Sequence, residues 1–150
     1  MDAAVQALVD ERGVCDALYR YAEGVDLRDW EMYRSAFTDE ITFDLSSYRP
    51  GSVGAVSADA WVERARHRFD TLVATSHTMT NPRVRVDGDA AVCTMNVEAT
   101  HLVRREGVES WCILGGRYRD DLVRVGDEWR ICALRLEVRW MRGDRSIFDD

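Results

Sequence analysis

Near residue 74 the hydrophobic period of this chain changes, and that change limits its fold more than any other feature. Upstream, apolar residues recur at helical spacing; downstream, they alternate with polar ones over four long runs. Asp87-Gly88-Asp89, Glu106-Gly107 and Gly126-Asp127 separate the runs as hairpin turns. The runs span about residues 75–86, 91–104, 110–125 and 129–141, and Gly115-Gly116 marks a bulge or bend in the third. Upstream, helices are expected over about residues 3–25, with a kink at Gly13, over residues 29–37, and over residues 58–72 with Ser57 as N-cap. A short strand is expected at residues 41–45 and a loop at residues 46–57. Helices followed by an antiparallel meander give an α+β fold in one 150-residue domain, with helices against one face of a curved sheet.

Composition narrows the function classes. A net charge of −7 opposes non-specific binding to nucleic acid or anionic membranes. No apolar run approaches a membrane span, and Met1–Gln6 has neither the basic nor the apolar region of a signal peptide, so a cytoplasmic location is expected. All 20 basic residues are arginine, which removes lysine Schiff-base chemistry. Cys15, Cys93, Cys112 and Cys132 are scattered without metal-ligand spacing and read as buried thiols. The tail from Arg142 to Asp150 reads as charged and loosely held.

In the first helix, Val14, Cys15, Leu18, Ala22 and Val25 form an apolar stripe. Tyr21 and Asp26 lie at its two edges, ~140° apart. A carboxylate leaning over a core needs a partner, and His77 is the best candidate. The plainer reading makes Asp26 a solvated residue or a cap for the next helix. Alternation places His77, Met79 and Asn81 on one side of their strand, and Cys93, Met95, Val97, Ala99 and His101 inward on the next. On the last strand Trp129, Ile131, Ala133 and Arg135 oppose Leu134, Leu136, Val138 and Trp140. Apolar residues on both faces predict that both are covered, the second by another subunit. Tyr21, Asp26, His77, His101 and Arg135 are thus the candidates for one cavity. Singly, each has a structural explanation: a hydrogen-bonded core histidine, a surface arginine, an edge-of-core tyrosine.

The runs "ALYRYAEGVDLRDWEMYRSAFTDEITFD", "SHTMTNPRVRVDGDAAVCTMNVEATH" and "GGRYRDDLVRVGDEWRICALRLEVRW" resemble the SnoaL-like group of the nuclear-transport-factor-like superfamily over nearly the whole chain. The resemblance implies a cone-shaped α+β barrel around a deep hydrophobic pocket. Within that group the chain is most similar to scytalone dehydratase, bile-acid dehydratase and hexachlorocyclohexane dehydrochlorinase. Asp26 and His77 match their aspartate–histidine pair, and Tyr21 matches a tyrosine of the bile-acid dehydratase pattern. His101 and Arg135 fall near further polar pocket positions. The implied activity is a cofactor-independent lyase or isomerase acting on a small hydrophobic substrate, with His77 as base and Asp26 orienting it. No cofactor or metal is expected; a metal on His77, His101 and a carboxylate is the less favoured reading. The same resemblance implies a homo-oligomer, a trimer with a dimer as alternative. Other readings of such a chain are a polyketide cyclase-like enzyme, a non-catalytic ligand-binding or oligomerisation module, and an accessory subunit like dioxygenase beta subunits.

Overall fold

The computed structural model describes residues 2–149. Helix α1 (Ala3–Leu27) is followed by α2 (Trp30–Ser35), β1 (Phe37–Asp44), β2 (Val53–Ser57) and α3 (Ala58–Phe69). Four long strands come next, β3 (Ala74–Asp87), β4 (Ala90–Arg105), β5 (Val108–Val125) and β6 (Glu128–Gly143), then a 3₁₀ turn at Arg145–Phe148. The strands form one six-stranded sheet in the order β2-β1-β6-β5-β4-β3. It is curved but not closed, since β2 and β3 remain edges, and β1 runs parallel to β6 while the other pairs are antiparallel. Three helices with this sheet make the α+β cone fold.

Local chemistry explains the helix boundaries. Asp2, Asp29 and Ser57 accept backbone N–H bonds from Ala4, Met32 and Ala60 and so cap α1, α2 and α3. Asp29, not Asp26, therefore caps the second helix. No kink is needed at Gly13, because α1 runs through it; a Cβ there would fall 2.8 Å from Cδ1 of Trp129, so the glycine admits an indole. The second helix is shorter than the pattern suggests, and Phe37 opens β1, buried between α1 and α3. The expected 46–57 loop ends in a strand, β2, which pairs with β1 through Glu40↔Ser57 to Asp44↔Val53.

The last strand corrects the two-faced reading. In the β5–β6 register Asp121 pairs Ala133 and Leu122 pairs Ile131, so Cys132 is an extra residue, a bulge. Alternation reverses there. Trp129 and Ile131 before the bulge, and Leu134 and Leu136 after it, all enter the same core. Arg135 is consequently turned outward. A second skip, between Gly115 and Gly116, leaves Arg139 unpaired and puts Trp140 on the outer side, over Gly115.

The final segment also differs from expectation. Ile147 and Phe148 are buried with Leu72, Val103 and Cys112. Arg68 donates to the Ile147 carbonyl and Arg49 to that of Phe148, both at 2.9 Å. Two apolar residues inside a charged run are enough to dock it.

Candidate functional site

The inner end of α1 carries Asp26, and β3 brings His77 to it. Nδ1 of His77 is 2.7 Å from Oδ1 of Asp26, and the His77 backbone N–H donates to Oδ2 at 2.7 Å. Burial pushes the Asp26 carboxyl up, but the ring and backbone bonds from His77 outweigh it and hold the group below the usual carboxylate range. An ionised Asp26 can only accept, so Nδ1 carries the proton, and in the neutral ring the lone pair falls on Nε2.

Arg28 ties the end of α1 to β3 beside the pair. As the left-handed C-cap of α1 (φ 59°), it donates to Oγ1 of Thr75 at 2.9 Å, two residues before His77. Its guanidinium lies 3.9 Å from Asp70 and 5.8 Å from the Phe69 ring centre, so one side chain joins the ends of α1, α3 and the start of β3. A lone arginine in the "GVDLRDW" run gives no sequence signal for that role.

Around the dyad stands an aromatic wall. His77 has 4 % of its side chain exposed. The rings of Tyr21, Phe69 and His101 lie 6.3, 6.0 and 5.8 Å from it, centre to centre, all steeply inclined. His101 itself is stacked on Phe69 and meets Phe148 edge-on at 4.9 Å. Burial, then the neighbouring His77, push His101 down to about 4, so it is neutral at pH 7. Its Nδ1 has no hydrogen-bond partner. The surface grooves of about 390 Å³ by Trp140 and about 260 Å³ by Trp129 do not include the dyad. Among the described residues no three His, Cys, Asp or Glu side chains are grouped to hold a metal ion.

Four of the five expected residues thus converge: Tyr21, Asp26, His77 and His101. Arg135 does not. Its side chain is 65 % exposed, 3.6 Å from Asp44 on the outer surface, because the Cys132 bulge reverses the alternation that had placed it inside.

Two inward residues of β5 had escaped notice. The hydroxyls of Tyr21 and Tyr118 are 2.9 Å apart. Two positions on, Asp120 is 2 % exposed, flanked by Cys93 and Leu134, and its Oδ1 has no hydrogen-bond partner. Burial pushes its pKa well above the usual range against the backbone amide of Arg135. The run "RYRDD" looks like a solvated strand, and only its strict alternation with Leu122 marks Tyr118 and Asp120 as inward.

Similar proteins agree with this fold. The chain is 28 % identical over 148 residues to "Terrestric acid biosynthesis cluster protein E" of Penicillium crustosum, covering 95 % of this chain and 91 % of that one. A solved protein from Kribbella flavida superposes with a TM-score of 0.85 at 26 % identity, over 91 % of this chain and 95 % of that one. A putative scytalone dehydratase from Novosphingobium aromaticivorans gives 0.80 at 21 %, over 93 % and 90 %. A type 2 hexachlorocyclohexane dehydrochlorinase gives 0.79 at 15 %, over 95 % and 93 %; likeness at these last two identities speaks to the fold alone. The SnoaL-like domain matches residues 6–135, and the chain belongs to that family.

Proposed function

We propose that this protein is a dehydratase-like lyase or isomerase that removes a carbon-bound proton from a small hydrophobic substrate without a cofactor. The observation that carries the reading is the part-buried Asp26–His77 pair, with the histidine joined to the carboxylate through both ring and backbone. His77 Nε2 takes the proton, and Asp26 holds the tautomer and stabilises the imidazolium that forms. In a dehydration the C–H pair becomes the new double bond, the C–O bond breaks, and the imidazolium returns its proton to the departing hydroxide as water. Tyr21 donates to the oxygen that gains charge. His101, neutral, donates a hydrogen bond rather than a proton. The dehydratase and dehydrochlorinase among the structural neighbours and a biosynthetic-cluster relative support this class. Its test is solvent deuterium uptake by a panel of β-hydroxy and β-halo carbonyl compounds. Wild type should exchange and His77→Ala should not; exchange unchanged in His77→Ala rejects the base assignment.

We also propose that the chain self-associates, as a trimer or a dimer, through the outer side of the sheet, where Trp111 and Trp140 are 47 % and 43 % exposed. Leu134 and Leu136 take no part, being in the core. Light scattering that gives the 17.2 kDa mass of one chain at micromolar concentration rejects it.

A further inference from the structure

Asp26 receives more than the histidine alone supplies. Its two oxygens take the His77 ring and backbone N–H, one bond each at 2.7 Å. A carboxylate offers about four lone-pair sites, so room remains for another donor. The Thr75 hydroxyl is among the groups that hold the carboxyl below its usual range. Thr75 lies two residues before His77 in an unbroken stretch of β3, and so on the same side of the strand. Its Oγ1 accepts from Nη1 of Arg28 at 2.9 Å. The same nitrogen donates to the Val25 carbonyl, which pins the guanidinium to the end of α1. The carboxylate that Arg28 meets directly is Asp70, at 3.9 Å, not Asp26.

We propose that Thr75 is a positioning residue of the dyad: with its oxygen committed to Arg28, it gives its hydroxyl proton to the Asp26 carboxylate, and the arginine acts on the aspartate through that hydroxyl. This rests on the reading of His77 as the base, and it deepens that reading by naming what regulates the pair. A hydroxyl that accepts from a guanidinium is a stronger donor, because hydrogen bonds in a chain polarise one another. A direct arginine–carboxylate pair is commonly bidentate and would occupy the oxygens that the imidazole needs. The relayed contact keeps Asp26 ionised and leaves Oδ1 to the ring. Its chemistry belongs to the hydroxyl, so serine in place of Thr75 keeps the relay, and valine, which has the same shape, breaks it.

The deciding measurement needs no turnover, so it stands whether or not His77 is the base. Carboxyl carbon NMR follows the titration of Asp26 in wild type, Thr75→Val, Thr75→Ser, Arg28→Ala and the double variant Thr75→Val with Arg28→Ala. Thr75→Val should raise the Asp26 midpoint toward the ordinary carboxylate range, and Thr75→Ser should leave it where wild type has it. Arg28→Ala should raise the midpoint when Thr75 is present and move it much less once valine stands there, since the arginine then has no hydroxyl to act through. Where a compound of the deuterium panel turns over, Thr75→Val should lower kcat about tenfold at pH 7 with KM changed little, and serine should restore it. Circular dichroism checks each fold. An Asp26 midpoint unchanged in Thr75→Val, additive effects of the two substitutions, or a serine variant that behaves as valine would each overturn the relay. A midpoint that moves as expected in a protein whose exchange does not depend on His77 would keep the relay and reject the base. Exchange that depends on His77 with an unmoved midpoint would keep the base and reject the relay.

Discussion

Asp26 and His77, 51 residues apart in sequence, are tied twice, once through the imidazole and once through the histidine's own backbone N–H. Because the second bond needs no particular side chain, it survives replacement of the histidine. His77→Gln should therefore keep the fold and the ligand affinity while lowering turnover by ~10²–10⁴-fold, the range for a positioned base. Asp26→Asn should damage the rate comparably and also loosen β3 against α1. Steady-state kinetics beside a thermal melt separate the two effects.

Arg28→Ala is expected to act on the pair from outside. It removes the bond to Thr75 and the guanidinium beside Phe69 and Asp70. The expected result is a lower kcat with KM changed little, and Arg28→Lys should rescue only part, since an ammonium cannot reach several groups at once. Equal kcat in all three proteins would limit Arg28 to capping.

Acid should destabilise the fold through two of these groups. The Asp26 carboxyl titrates lower when folded than unfolded, so its stabilisation is complete above about pH 4 and is lost as pH falls through the folded value. His101 is held near 4 against an ordinary value of 6.5, so between those two values the unfolded chain binds more protons and stability falls with pH. The His101 contribution reaches about 3 kcal/mol by pH 4. Urea unfolding of wild type and His101→Phe between pH 4 and 7 should show a shallower slope in the variant.

Asp120 works with the opposite sign. Its folded carboxyl keeps a proton that the unfolded chain releases above about pH 4, so stability falls as pH rises toward the folded value. Asp120→Asn is neutral in both states. It should raise the midpoint of thermal unfolding at neutral pH and remove that limb of the profile.

Gly24 should be intolerant of a methyl group. A Cβ there would fall 2.6 Å from the Tyr33 backbone nitrogen, where α1 crosses α2. Gly24→Ala should cost about 1–3 kcal/mol by overpacking, read as a lower urea midpoint with an unchanged slope.

How much of this was legible beforehand follows from which forces are local. The Ser57 cap, the period change and the glycine-containing turns act over a few residues, and the elements they predict are present. Asp26 could be singled out because it stood out against an apolar stripe, and the family resemblance matched it to His77. Arg135, Leu134 and Leu136 were assigned to the wrong faces for a single reason: a bulge carries no residue signature in "RICALRL", whereas Gly115-Gly116 does. Tyr118 and Asp120 were missed because charged neighbours on the other face hid their alternation. Phe148 was hidden by the acidic and basic residues around it.

The bulge at Cys132 has a consequence for how this strand can change. Substitutions along β6 alter one contact each, but a change of length alters all of them. Removing residue 132 would restore strict alternation and leave either Trp129 and Ile131, or Leu134 and Leu136, facing out, with β1 out of register on the far side. The single extra residue is what lets one strand serve two partners with its apolar side inward throughout. Related chains should vary freely in what occupies position 132 and hardly at all in how many residues separate Ile131 from Leu134.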